Sequence, residues 1–76
     1  MLTPQQIIGT YYLESRCALL EIAAMLDRHD AAAQRTGTLA ENAEKLTCLR
    51  NALALLADPA ASTDRAERLL HLFATV

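Results

Sequence analysis

Glycine, proline and aromatic residues are scarce in this chain: two Gly, two Pro, two Tyr, one Phe and no Trp in 76 residues. Strands draw on β-branched and aromatic side chains, yet valine occurs once and isoleucine three times. A fold of many short strands also needs more turn residues than Gly9, Gly37, Pro4 and Pro59 supply. These shortages exclude a β architecture.

An excess of basic charge is missing as well. Seven Lys and Arg against nine Asp and Glu leave a formal charge of −2. Nucleic-acid binding needs a clustered basic face, because counterion release supplies most of its non-specific affinity. The balance therefore argues against a nucleic-acid partner, a helix-turn-helix DNA binder included, and against an anionic membrane surface. No stretch approaches the roughly 20 apolar residues of a membrane span. No Lys or Arg precedes Arg16, and Pro4-Gln5-Gln6 interrupts any early apolar run, so no signal peptide is expected.

Cysteine is limited to Cys17 and Cys48, without CxxC spacing or histidine partners. With no export signal, both are expected to be free, buried and inert in a cytoplasmic protein. A bridge would need Cα atoms within about 7 Å. No Gly-rich phosphate loop, Ser/His/Asp set or activated thiol is visible.

What the chain has in abundance is leucine and alanine, within a hydrophobic fraction of 53%. Both residues cost little in a helix. The expected fold is all-α: one domain over residues 1–76, a three-helix antiparallel bundle with helices at 4–29, 39–57 and 62–75. Thr3 and Pro4 open the first helix as N-cap and first helical residue. Its seam is Ile8, Tyr12, Leu19, Ile22 and Leu26, at steps of three, four and seven. Thr38-x-x-Glu41 fits a capping box for the second helix. That helix carries Leu39, Ala43, Leu46, Leu49, Leu53 and Leu56 on one face, and Asp58-Pro59 ends it. On the third, Ala66, Leu69, Leu70, Leu72, Phe73 and Val76 make the inner face. Short connections make neighbours antiparallel. The first helix is longer than the others, so it overhangs the bundle or continues into a second subunit.

A second apolar stripe is the feature closest to a function. Leu13, Cys17, Leu20 and Ala24 lie opposite the seam of the first helix, and Cys48, Ala52 and Leu55 do so on the second. Two stripes mean contact on two sides. These residues, rimmed by the amphipathic Tyr11, are the expected interface of a homo-oligomer or of a complex with another helical protein. The competing reading has the third helix covering one stripe and enlarging the core.

The polar candidates are few. Arg50, projecting near the leucine seam, is expected to form a structural ion pair with Glu67 or Glu14, because a buried guanidinium must be paired. Arg16, flanked by apolar sectors, is suited to an acid on a partner subunit. Tyr12 is expected in the core with Phe73. Asp27-Arg28-His29-Asp30 reads as the chemistry of a helix end. Glu67-x-x-x-His71 reads as a solvated face, since the di-iron bundle motif is Glu-x-x-His. Glu41-x-x-Glu44 and Asp64-x-x-Glu67 each place two carboxylates on one helix face. Facing each other, they would offer oxygen ligands to Mg²⁺. These two tetrapeptides resemble the paired carboxylate motifs of all-α nucleotide pyrophosphatases, which implies as the alternative a small metal-dependent all-α enzyme or nucleotide-binding domain using the carboxylates of the second and third helices. The favoured reading is a non-catalytic helical interaction module with no cofactor and no metal.

Overall fold

A computed structural model describes residues 1–36, 43–60 and 63–74. All three expected helices form: α1 at Pro4–Thr36, α2 at Ala43–Ala57 and α3 at Arg65–Phe73. Among the described residues there is no strand, and no helix is long and apolar enough to cross a membrane. The chain divides into two compact units, Met1–Thr38 and Leu39–Val76.

The first unit is built on α1. Its start is a reciprocal capping box: the Gln6 N–H donates to Thr3 Oγ1 at 3.1 Å, and the Thr3 N–H donates to Gln6 Oε1 at 2.8 Å. Two backbone donors that a helix start leaves orphaned are thereby satisfied. The sequence points to Thr3 as the cap; Gln6 is the half of the box that it left unread. At the other end α1 runs to Thr36 rather than stopping at His29. Beyond His29 the large apolar residues cease, but Ala31, Ala32, Ala33, Gln34 and Arg35 are all strong helix formers. Arg35 in the last turn complements the negative end of the helix dipole. The Thr36 hydroxyl donates to the Ala32 carbonyl at 3.1 Å. His29 and Asp30 therefore sit inside the helix, not at its end.

The second unit is an α2–α3 hairpin. The expected Thr38–Glu41 capping box lies outside the described residues. At the far end of α2, the Asp58 N–H donates to the Leu55 carbonyl at 3.4 Å. The Asp58 carboxylate accepts the Ala60 N–H at 2.9 Å, which turns the chain around Pro59. Helix α3 begins at Arg65 rather than 62, with Thr63 and Asp64 in a turn. The Asp64 carbonyl accepts the Arg68 N–H at 3.0 Å. The helix ends at Phe73 rather than 75, where the Ala74 N–H still donates to the Leu70 carbonyl at 3.0 Å.

Two contacts fix the hairpin as antiparallel. Arg65 Nη2 donates to the Asp58 carbonyl at 3.3 Å beside the turn, and Cys48 Sγ donates to the Leu72 carbonyl at 3.8 Å farther along. Cys48 and Ala52, 5% and 6% exposed, are the buried residues among those described. Both are small, so the helix backbones approach closely along this line. On α3 the covered side is Leu69, Leu72 and the Arg65 stem, all half-buried. Leu70, expected inside, is 72% exposed. At about 100° per residue it stands a quarter-turn or more away from Leu69 and Leu72. Ala66 is exposed too, so the inner face of this short helix is narrower than its apolar content suggests.

Candidate interaction surface

The stripe expected on α2 as an interface with other molecules divides. Cys48 and Ala52 are buried inside the hairpin, and Leu55 is half-buried. Here α3 covers the stripe and enlarges the core of the unit. The leucines of the expected seam are the more open side: Leu46, Leu49 and Leu53 are half-buried and Leu56 is exposed. Lys45, Cys48, Leu49 and Phe73 line an open hollow of about 330 Å³.

On α1 the second stripe is exposed, and the seam is exposed at Ile8, Tyr12 and Leu19 and half-buried at Ile22 and Leu26. The helix has 33 residues and none is buried. On the second stripe Leu13 is 65% and Leu20 54% exposed, with Cys17 and Ala24 exposed beside them. Cys17 was expected to be buried and is exposed on this face of α1. On the seam Ile8, Tyr12 and Leu19 are exposed, Leu19 at 59%. Tyr12 is thus not the closed core residue that the sequence suggests. Tyr11 is exposed as well.

The seam has a regular seven-residue order once α1 is seen at full length. Taking Ile8 as position a, the same position holds Ser15, Ile22 and His29. Position d holds Tyr11, Ala18, Met25 and Ala32, and position e holds Tyr12, Leu19, Leu26 and Ala33. Partial burial on α1 is confined to this face, at Ile22, Met25, Leu26, His29, Ala32 and Ala33. An apolar a/d/e band is what a helix presents to another helix. Its flanks are charged. Position g carries Glu14, Glu21, Arg28 and Arg35, all exposed, and position b carries Arg16 and Asp30, also exposed. Sequence reasoning missed this order because it ended the helix at His29, which hides Ala32, Ala33 and Arg35. An open hollow of about 480 Å³ runs along the edge of this face, beside Tyr12, Ser15, Arg16 and Leu19 and reaching Leu20 and Ala23.

The remaining polar candidates lie on solvated faces. Arg50 is exposed, and within the second unit Glu67 lies beside His71 instead, Oε1 to Nε2 at 3.9 Å. An exposed guanidinium stays hydrated, so the burial that would oblige Arg50 to pair is absent. Glu14 is exposed on α1. Glu44, Asp64 and Glu67 are exposed, while Glu41 lies outside the described residues. Among the described residues no three His, Cys, Asp or Glu side chains converge as a metal site would require. His29 Nδ1 lies 3.0 Å from Asp30 Oδ1, a contact between neighbours on one helix.

No protein family, curated protein or solved structure matches this chain.

Proposed function

We propose that this protein is a non-catalytic helical protein–protein interaction module that self-associates through α1. The observation that carries the reading is α1 itself, 33 residues with none buried and with large apolar side chains on two faces. Most of a helix's stability comes from packing its apolar face. Contiguous exposed apolar surface of this kind marks an interaction site. Some of the polar groups have structural partners: Thr3 and Gln6 cap α1, Asp58 holds the turn after α2, and Glu67 and His71 lie side by side on the solvated face of α3. One face takes a second copy of the chain. The other, with Leu13 and Leu20, is left for a further helical surface.

Sedimentation at micromolar concentration tests the proposal. A dimer or larger species is expected. A monomer at every concentration in that range overturns it.

A further inference from the structure

The charges that border the seam of α1 carry more than solubility. We infer that the occupant of the seam is a second copy of α1, running antiparallel, in one particular register. The inference rests on the self-association reading and adds to it the face, the direction and the alignment.

Helices paired antiparallel bring position g of one against position g of the other. On α1 the two g residues nearer the N-terminus are acids, Glu14 and Glu21, and the two nearer the C-terminus are bases, Arg28 and Arg35. One alignment sets Glu21 against the second copy's Arg28 and Glu14 against its Arg35, each pair occurring twice by symmetry. Sliding by one heptad toward the N-terminus sets Glu21 against Glu21. Sliding by one toward the C-terminus sets Arg28 against Arg28. The matched register alone has no like charges facing each other.

The same alignment pairs much of the apolar face, with Ser15 and His29 set against the second copy's Ala32 and Ala18 and Ile8 falling beyond the end of its α1. It brings Leu19 opposite the second copy's Leu26, Tyr12 opposite its Ala33, and Ile22 opposite its Met25. The exposed N-terminal half of the band thus lies on the half-buried C-terminal half. On the far flank Arg16 falls level with the second copy's Asp30. A parallel pair loses all of this, because position g then faces position e, where the residues are Tyr12, Leu19, Leu26 and Ala33.

Exposed ion pairs contribute little binding energy. The apolar band supplies the affinity, and the charges select orientation and register by penalising the alternatives. None of Glu14, Glu21, Arg28 and Arg35 has an ion-pair partner within α1. The helix dipole accounts for Arg35 in the last turn, but Glu14, Glu21 and Arg28 lie outside the end turns, and their order along one flank is not explained by the helix alone.

The test uses two variants of the full chain. One carries Glu14→Arg and the other Arg35→Glu; in the matched register each sets position 14 against a like-charged position 35, whereas a slide by one heptad leaves one of the two variants without a facing g charge. Each alone is expected to associate more weakly than wild type, with helix content by circular dichroism unchanged. An equimolar mixture is expected to form a heterodimer and regain the wild-type affinity. Variants that associate alone as well as wild type overturn the register while leaving self-association standing. Weakened variants whose mixture shows no recovery overturn it as well, even where one of them has lost helix content. A wild-type chain that is monomeric throughout removes the self-association reading and this inference with it.

Discussion

The Cys48 thiol lies 3.8 Å from the Leu72 carbonyl oxygen and ties the middle of α2 to the last turn of α3. A thiol is a weak donor, and a buried free cysteine behaves mainly as a small apolar group. What the contact reveals is therefore proximity. Two helices meet along Cys48 and Ala52, where the side chains are small enough to let them.

That closeness makes the line intolerant of bulk. Ala52→Leu adds volume where 6% of the residue is exposed, and overpacking of this kind typically costs about 1–3 kcal/mol. A domain of this size rarely has more than roughly 3–5 kcal/mol to lose. Thermal melting followed by circular dichroism is expected to show a clear fall for Ala52→Leu. An unchanged midpoint means that α3 does not cover Ala52.

The two thiols differ in access, and alkylation should separate them. Cys17 is exposed on α1 and Cys48 is buried in the hairpin. Under native conditions a maleimide is expected to label Cys17 rapidly and Cys48 only as fast as the second unit opens. After denaturation without reductant, both label. Equal native rates would place Cys48 in solvent.

Arg50 provides a control. The guanidinium is exposed, and surface substitutions away from special features usually shift stability by no more than about 0.5 kcal/mol. Arg50→Ala is expected to melt with the parent protein. A large loss would restore the structural ion pair and make Glu67→Gln the next variant to examine.

Element type was legible in the sequence, because leucine, alanine and a shortage of turn residues all argue one way. Packing partners were less so. On α2 the apolar residues fill about half the helix circumference, from Leu55 and Cys48 round to Leu46, so periodicity does not say which part another helix will cover. The small residues took that place because they allow closer approach, while the larger leucines stayed more open. On α1 the missing signal was length. Ala31, Ala32 and Ala33 carry helix propensity without a conspicuous apolar pattern. The flank charges become an ordered set only when Arg35 is counted within the helix. For Arg50 the misleading step was to take proximity to the seam on a wheel for burial, when a long stem lets the charge reach water.

Leu19 and Leu20 are adjacent in sequence and similarly exposed, at 59% and 54%. They nevertheless stand about 100° apart on α1. Leu19 belongs to the a/d/e band, and Leu20 belongs to the opposite stripe with Leu13. In the antiparallel pair proposed above, Leu19 meets the second copy's Leu26, so Leu19→Glu places a carboxylate in the apolar contact, with Arg16 at the solvated flank as the nearest cation on α1. Desolvating an unpaired charge is strongly unfavourable, and a penalty of about 1.4 kcal/mol already weakens association tenfold. Leu20→Glu adds the same charge on the face turned away from that contact. Sedimentation equilibrium of the two variants is expected to show Leu19→Glu shifted toward monomer and Leu20→Glu close to wild type. The reverse result would move the copy-to-copy contact to the Leu13–Leu20 stripe and overturn the seam as the site of pairing. Two equally weakened variants would mean that both faces of α1 are covered in the oligomer, which a simple two-helix contact does not accommodate.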